Sequence, residues 1–126
     1  SSALFCVGHT HRPLVRRLDG CLVVNVGSAG LPFDGDTRAA YARLTFHRRR
    51  WHAEIVRLPY DLRRAERDFF ETGFIETGGP LAGLILDELQ HARSLMYAWT
   101  KEYEAPILAE SITVAEAVAR FMATLD

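Results

Sequence analysis

Gly8-His9-Thr10-His11 places two imidazoles two residues apart at the end of an apolar run, Ala3 to Val7. In extended backbone, side chains at i and i+2 point the same way, and neutral imidazole is a ligand for Zn²⁺, Mn²⁺ or Fe. The pair can therefore serve one ion or the two ions of a bimetallic site. Gly8 lets the chain turn sharply or approach an ion closely. On spacing alone, a pair of exposed or hydrogen-bonded histidines is the reading to prefer. Other constellations carry less. Gly27-Ser28-Ala29-Gly30 lacks the glycine that a nucleophile elbow needs where Val26 stands, and no helix signal follows it. Glu88-Leu89-Gln90-His91 has the spacing of a di-iron bundle ligand pair without a second such motif, and reads as a solvated helix face. His47 and His52 flank an arginine turn and read as surface residues.

The first fifty-nine residues are written as strands. Ala3 to Val7 is a buried-strand pattern. Leu14 to Leu18 and Cys21 to Val24 flank Asp19-Gly20, a two-residue type I′ hairpin signal. Tyr41 to Phe46 alternates at period 2, and Trp51 to Leu58 answers it across a polar turn, His47 to Arg50, whose arginine run reads as solvated decoration. Between the hairpins, Asn25 to Asp36 is a Gly- and Pro-bearing loop long enough to carry function. After Pro59 the period becomes helical. Asp61 is an N-cap before the stripe Leu62, Ala65, Phe69 and Phe70, and Gly73 fits the end of that helix. A second helix opens at Gly78-Gly79-Pro80 and runs through Leu81, Leu84, Ile85, Leu89, Ala92, Met96 and Trp99 until before Pro106. A third begins at the capping-box pattern Thr113-Val114-Ala115-Glu116 and buries Val118, Phe121, Met122 and Leu125.

At 126 residues the chain has room for one core, and 48% hydrophobic against 25% charged residues excludes a disordered or fibrous chain. No apolar run approaches the roughly 18–20 residues of a membrane span, so no membrane partner is expected. Cys6 and Cys21 lack C-x-x-C spacing and read as buried thiols in a reducing, cytoplasmic setting. The net charge of −1 hides an asymmetry: nine basic against four acidic residues over 1–57, and six against twelve over 58–126. The basic half has two readings, facing an anionic substrate or packing on the acidic half. It shows no helix-turn-helix, zinc-finger or aromatic RNA-binding signature, so nucleic acid is not an expected partner. The chain opens without Met and passes straight into a strand, which reads as a segment of something longer.

The order of these motifs resembles the C-terminal half of the calcineurin-like metallophosphoesterases, most nearly their small bacterial and archaeal phosphodiesterase branch. The likeness rests on Gly8-His9-Thr10-His11-Arg12-Pro13, a hairpin, Asn25-Val26-Gly27-Ser28-Ala29-Gly30-Leu31-Pro32, Asp34-Gly35-Asp36, and a strand pair ending Arg57-Leu58-Pro59-Tyr60-Asp61. It covers about residues 3–65. The resemblance implies an α/β fold, half of a two-sheet sandwich built mostly of antiparallel hairpins over residues 3–59, followed here by three helices. It implies a hydrolase of phosphate mono- or diesters with two divalent ions, Mn, Zn or Fe. His9 would bind one ion and His11 the other, while Asn25 and Ser28 would support the ligands from behind. Val26 replaces the usual proline of the family's Asn-Pro-Gly-Ser turn, and Phe33 stands where the branch often has arginine.

The family's earlier ligand blocks, Asp-x-His, Gly-Asp-x-x-Asp and Gly-Asn-His, have no counterpart in the eight residues before His9. The expectation is therefore an enzyme as a longer protein, with the missing N-terminal half of the domain as partner and this chain alone inactive. The alternative is a non-catalytic interaction or assembly module derived from the same fold. Residues 1–77 are expected to form the phosphoesterase part. Residues 78–126 are expected to be a helical extension that packs on the sheet or makes a homo-oligomer contact, with Tyr97, Trp99 and Tyr103 in that surface.

Overall fold

The computed structural model describes residues 3–125. By backbone contacts the chain divides into two compact units, Ser1–Tyr60 and Asp61–Asp126, a division that lies seventeen residues before the boundary at 77 drawn from the sequence and groups the first helix with the later ones.

The first unit holds β1 (Leu4–Val7), β2 (Leu14–Leu18), β3 (Cys21–Asn25), β4 (Ala39–His47) and β5 (Arg50–Leu58). β1, β3 and β2 form one sheet in that order, and β4 and β5 form a second. The β2–β3 hairpin turns on Asp19 and Gly20, both at positive φ (48° and 80°), as the Asp-Gly signal requires. β1 pairs with β3 in parallel, Val7 opposite Asn25. That pairing decides where chemistry can happen, because it brings the segments leaving β1 and β3 out at the same end of the sheet.

Period-2 register assigns the faces. Leu22 and Val24 are buried on one face, where β2 and β3 pack against β5. Phe5, Val7, Leu14 and Leu18 share the other face with Val23, and all four are exposed. Cys6 lies on the packed face yet is exposed, and Cys21 is half-buried. The expected burial of both thiols is thus corrected: both are free and neither is in the core.

The second hairpin is longer than its alternation indicates. β4 and β5 pair from Ala39–Leu58 out to His47–Arg50, so the turn shrinks to Arg48 and Arg49, with φ of 46° and 63°. Both arginines occupy the left-handed region that a two-residue type I′ turn demands and that Asn-Gly or Asp-Gly would fill with less strain.

The second unit holds α1 (Leu62–Glu71), α2 (Phe74–Thr77), α3 (Leu81–His91), α4 (Met96–Leu108) and α5 (Val114–Met122). Asp61 caps α1 by accepting from the Arg64 N–H at 2.9 Å. The capping box of α5 is complete: Thr113 accepts from the Glu116 N–H at 3.2 Å, and the Glu116 carboxylate accepts from the Thr113 N–H at 2.9 Å. The Thr113 N–H and hydroxyl, both donating to the Glu116 carboxylate, hold that carboxyl below its ordinary range.

The long second helix of the sequence reading is two helices. Ala92 ends α3 at φ 50°, and Glu88 reaches across the break, its Oε1 accepting the Leu95 and Met96 N–H groups at 2.6 and 2.8 Å. Those amides belong to the unpaired first turn of α4 and need an acceptor. Glu88, expected on a solvated face, is only 2% exposed and caps the next helix from within the core. Pro106 does not stop α4 but sits in its last turn, where hydrogen bonding resumes from Ala109 to the Ala105 carbonyl. Leu84, Leu95, Trp99, Tyr103, Ala117, Val118 and Phe121 make the core. Most of the stripe put forward as an oligomer surface is consumed there, and Tyr97 is left exposed with Lys101 over its ring. Among the described residues no helix is long and apolar enough to cross a membrane.

Two substitutions test these placements. Glu88→Ala strands one buried and one half-buried N–H group, those of Leu95 and Met96, and is expected to cost about 2–4 kcal/mol in urea unfolding. Replacing Arg48-Arg49 with Asn-Gly relieves the left-handed turn and is expected to raise stability by about 1 kcal/mol in the same assay.

Candidate functional site

Segments 8–13 and 26–38 leave the sheet side by side, and Asn25 ties them. Its side-chain amide donates to the Gly8 carbonyl at 3.0 Å and to Thr10 Oγ1 at 2.8 Å, while its Oδ1 accepts from the Gly27 N–H at 3.0 Å. Asn25 is buried, so these bonds replace solvation that it cannot otherwise recover. Gly27 follows at φ 80°, and a Cβ there would lie 2.8 Å from Pro13 Cγ and 2.9 Å from Ala40 Cβ. The third position of the turn must be glycine on both counts. Val26 occupies the proline position without loss of order, since its N–H donates to the Val7 carbonyl at 3.2 Å. Proline would have no N–H for that bond.

Ser28 Oγ accepts from the Gly30 and Leu31 N–H groups at 3.4 and 3.0 Å, curling the loop so that the Leu31 carbonyl meets His11 Nδ1 at 2.7 Å. Phe33 stacks on the His11 ring, centroids 4.7 Å apart and planes 20° off parallel, and its N–H donates to the His11 carbonyl at 3.1 Å. A carbonyl on Nδ1 requires the proton there and leaves Nε2 as the ring's free lone pair. His9 is exposed. The extended geometry expected for the pair is corrected: His9 and His11 sit at φ 71° and 56°, so their rings are aimed by a curled segment and not by strand alternation.

Four residues that were given no role from the sequence, Arg57, Asp34, Asp36 and Arg38, hold the loop in place. Arg57 bonds Asp34, lies 3.7 Å from Asp36, and donates to the Arg38 carbonyl at 3.3 Å. Asp36 is further paired with Arg38 at 2.7 Å. The Arg38 side chain first, and its backbone N–H second, hold the Asp36 carboxyl far below the usual aspartate range. With its folded value lowered, Asp36 contributes its stabilisation above the ordinary aspartate value of about 3.9 and loses it as pH falls below. The signal for Arg57 was present in the sequence: Trp51, Ala53, Ile55 and Arg57 share one face of β5, and an arginine closes that otherwise apolar series.

These loops can now be set beside known proteins. Residues 1–49 match the calcineurin-like phosphoesterase superfamily domain. The crystal structure of a metallophosphoesterase from Sphaerobacter thermophilus is similar to the chain at 25% identity and a TM-score of 0.52, over 71% of this chain and 41% of that one. No curated protein matches by sequence. These likenesses support the expected resemblance over residues 1–49 and a mixed α/β fold with two small sheets like that of a metallophosphoesterase, with five helices among the described residues where three were expected. The chain spans less than half the length of that solved metallophosphoesterase.

Metallophosphoesterases work with divalent metals, and the donors here can be tested against that. His11 has the bearing of a ligand imidazole. The count, however, falls short: among the described residues no group of three or more His, Cys, Asp and Glu is placed to hold a metal ion. An ion such as Zn²⁺ takes about four ligands. The residues present fit imidazole donors to a centre and do not fit the centre itself.

Asn25→Ala is expected to cost about 1–3 kcal/mol in urea unfolding, because it leaves the Gly27 N–H without its acceptor and removes the tie to the Gly8 carbonyl, which keeps the Thr10 N–H, and to the Thr10 hydroxyl. Asn25→Asp restores the acceptor but sets a carboxylate against that carbonyl, and is expected not to recover the loss.

Proposed function

We propose that this chain is the part of a metal-dependent phosphoesterase that carries the G-H-x-H loop, within a protein that hydrolyses phosphate mono- or diesters. The observation that carries the reading is the His11 ring, fixed by the Leu31 carbonyl and Phe33 with Nε2 free, inside the segment that matches the superfamily. In this reading His9 and His11 offer imidazole nitrogens to two divalent ions, and the remaining ligands come from a further segment. Asn25 and Ser28 act through other groups: Asn25 binds the 8–10 segment to the end of β3, and Ser28 delivers the Leu31 carbonyl. Phe33 supplies no positive charge, so no phosphate contact is assigned to its place.

Two further observations support a missing partner half. One is the donor count. The other is the sheet face of Phe5, Val7, Leu14 and Leu18, four large apolar side chains left in water on the strands that frame the site. Contiguous apolar exposure of this kind marks a surface that is covered in use. Two free thiols accord with a reducing, cytoplasmic setting.

The 126-residue chain is expected to show no hydrolysis of 4-nitrophenyl phosphate or bis(4-nitrophenyl) phosphate with Mn²⁺. Turnover abolished by both chelator and His11→Ala would mean that the chain builds a complete site, and would overturn the division of labour proposed. A second readout separates an inactive donor loop from a loop with no such role. On titration with Mn²⁺, paramagnetic broadening is expected first at the ring signals of His9 and His11, before those of His47, His52 and His91. Equal broadening across all five histidines would remove the reading.

A further inference from the structure

The β4–β5 hairpin ends in a turn that its sequence makes difficult. Where the β2–β3 hairpin uses Asp19-Gly20, this one places Arg48 and Arg49 in the left-handed region. Non-glycine residues held there mark positions where something other than backbone comfort has set the residue type. What the turn displays is positive charge. Arg50 follows it, and Arg17 on β2 reaches the same tip by donating to the Trp51 carbonyl at 2.5 Å.

Among the described residues Arg17, Arg48, Arg49 and Arg50 form no ion pair, as is also true of Arg12, Arg16, Arg63, Arg67 and Arg120. What distinguishes the tip is that three unpaired guanidiniums are consecutive in sequence and a fourth, that of Arg17, bonds the residue that follows them. Asp19, the carboxylate of the neighbouring β2–β3 turn, pairs with none of them. An unneutralised cluster at a narrow tip concentrates a field that draws polyanions.

Aromatic surface lies within the same tip. Phe46 and Trp51 are opposite residues of the pair, with ring centroids 5.0 Å apart. Register puts them on one face of the hairpin and His47, Arg50 and His52 on the other. Trp51 is half-buried and backs Phe46, whose ring is 56% exposed. A supported, exposed ring beside free guanidiniums is the composition of a single-strand platform: bases stack on the ring while arginines take the backbone phosphates.

We infer that the β4–β5 hairpin tip binds single-stranded nucleic acid, Phe46 stacking a base and Arg17, Arg48 and Arg49 contacting phosphates, with Arg50 adding charge from the opposite face of the hairpin. The expectation from the sequence was a solvated turn without nucleic-acid partner; the left-handed arginine pair and the exposed aromatic are what the strand pairing adds. The inference is independent of the phosphoesterase reading, since the tip lies at the far end of β4 and β5 from Ala39 and the 26–38 loop. The assays under each are different, so either can fail alone.

The test is fluorescence anisotropy of the 126-residue chain with a labelled oligouridine of about 16 nucleotides, between about 50 and 200 mM salt. Replacing Arg48-Arg49 with Asn-Gly is expected to weaken binding at least tenfold and to reduce the slope of log affinity against log salt by about 1.4. That variant suits the turn better than the natural pair, so its loss would not be a loss of fold; thermal melting by circular dichroism checks this. Phe46→Ala is expected to weaken oligouridine about tenfold while leaving heparin, a polyanion without bases, unchanged. An Asn-Gly variant that binds as the natural chain does would overturn the inference. So would a Phe46→Ala chain that loses heparin and oligouridine equally, or a natural chain that prefers a duplex of equal length or phosphatidylserine vesicles to oligouridine.

Discussion

A buried carboxamide with two donor hydrogens and one acceptor oxygen must find partners, and at Asn25 the partners it finds organise the first unit. The residue ends β3 directly opposite Val7, the last residue of β1. Its amide takes the Gly8 carbonyl and the Thr10 hydroxyl from the segment that leaves β1, and its oxygen takes the Gly27 N–H from the segment that leaves β3. Two loops without regular structure are thereby given one shared anchor inside the protein. A parallel pair needs such an anchor more than an antiparallel one, because its strand ends diverge into separate connections and are not closed by a common turn.

Everything further out hangs from that anchor in sequence. Gly27 lets the chain pass under Pro13 and Ala40 where no side chain fits. Ser28 then bends the backbone, Leu31 turns its carbonyl inward, and His11 receives it. The outer limb of the same loop is held by charge instead of burial, through Arg57, Asp34 and Asp36. Phe33 lies between the two restraints, against the imidazole. Its aromatic ring braces the imidazole, so the position shapes a neighbouring side chain.

Much of this was legible in residues whose local requirement and global role agree. Asp19-Gly20 demanded a tight hairpin, Asp61 and Thr113 demanded helix starts, and the structure has all three. Strand alternation found both members of the β4–β5 pair, and motif order found the loops at the site. The failures share a cause: each involved a residue acting on something distant in sequence. Glu88 looked solvated because its partners are amides seven and eight residues away, beyond a break that no glycine or proline announced. Arg48-Arg49 looked like loose polar turn residues because strand pairing, which local propensity does not see, pulled the strands together until only two residues were left to turn. The histidines were placed on extended backbone because spacing speaks about strands and says nothing of a segment already curled by hydrogen bonds to Asn25. Arg57 could have been found, since a charge on the apolar face of a strand calls for buried partners.

The two units differ in how completely each satisfies itself, and that difference bears on function more than any single motif. In the helical unit the apolar residues converge: Leu84, Trp99, Tyr103 and Phe121 are buried, and a carboxylate inside the core is matched by two amides. In the strand unit the polar residues converge and the apolar ones do not. Asn25, Ser28, Arg57, Asp34 and Asp36 all have partners, while Phe5, Val7, Leu14 and Leu18 face water. Sequence propensity does not produce that pattern by itself, since the same strands bury Leu22 and Val24 on their opposite face. The same strands thus carry a polar network in which each named residue has a partner and an apolar face in which four large side chains do not, and the His11 ring is oriented entirely by groups of its own segment, the Leu31 carbonyl and Phe33.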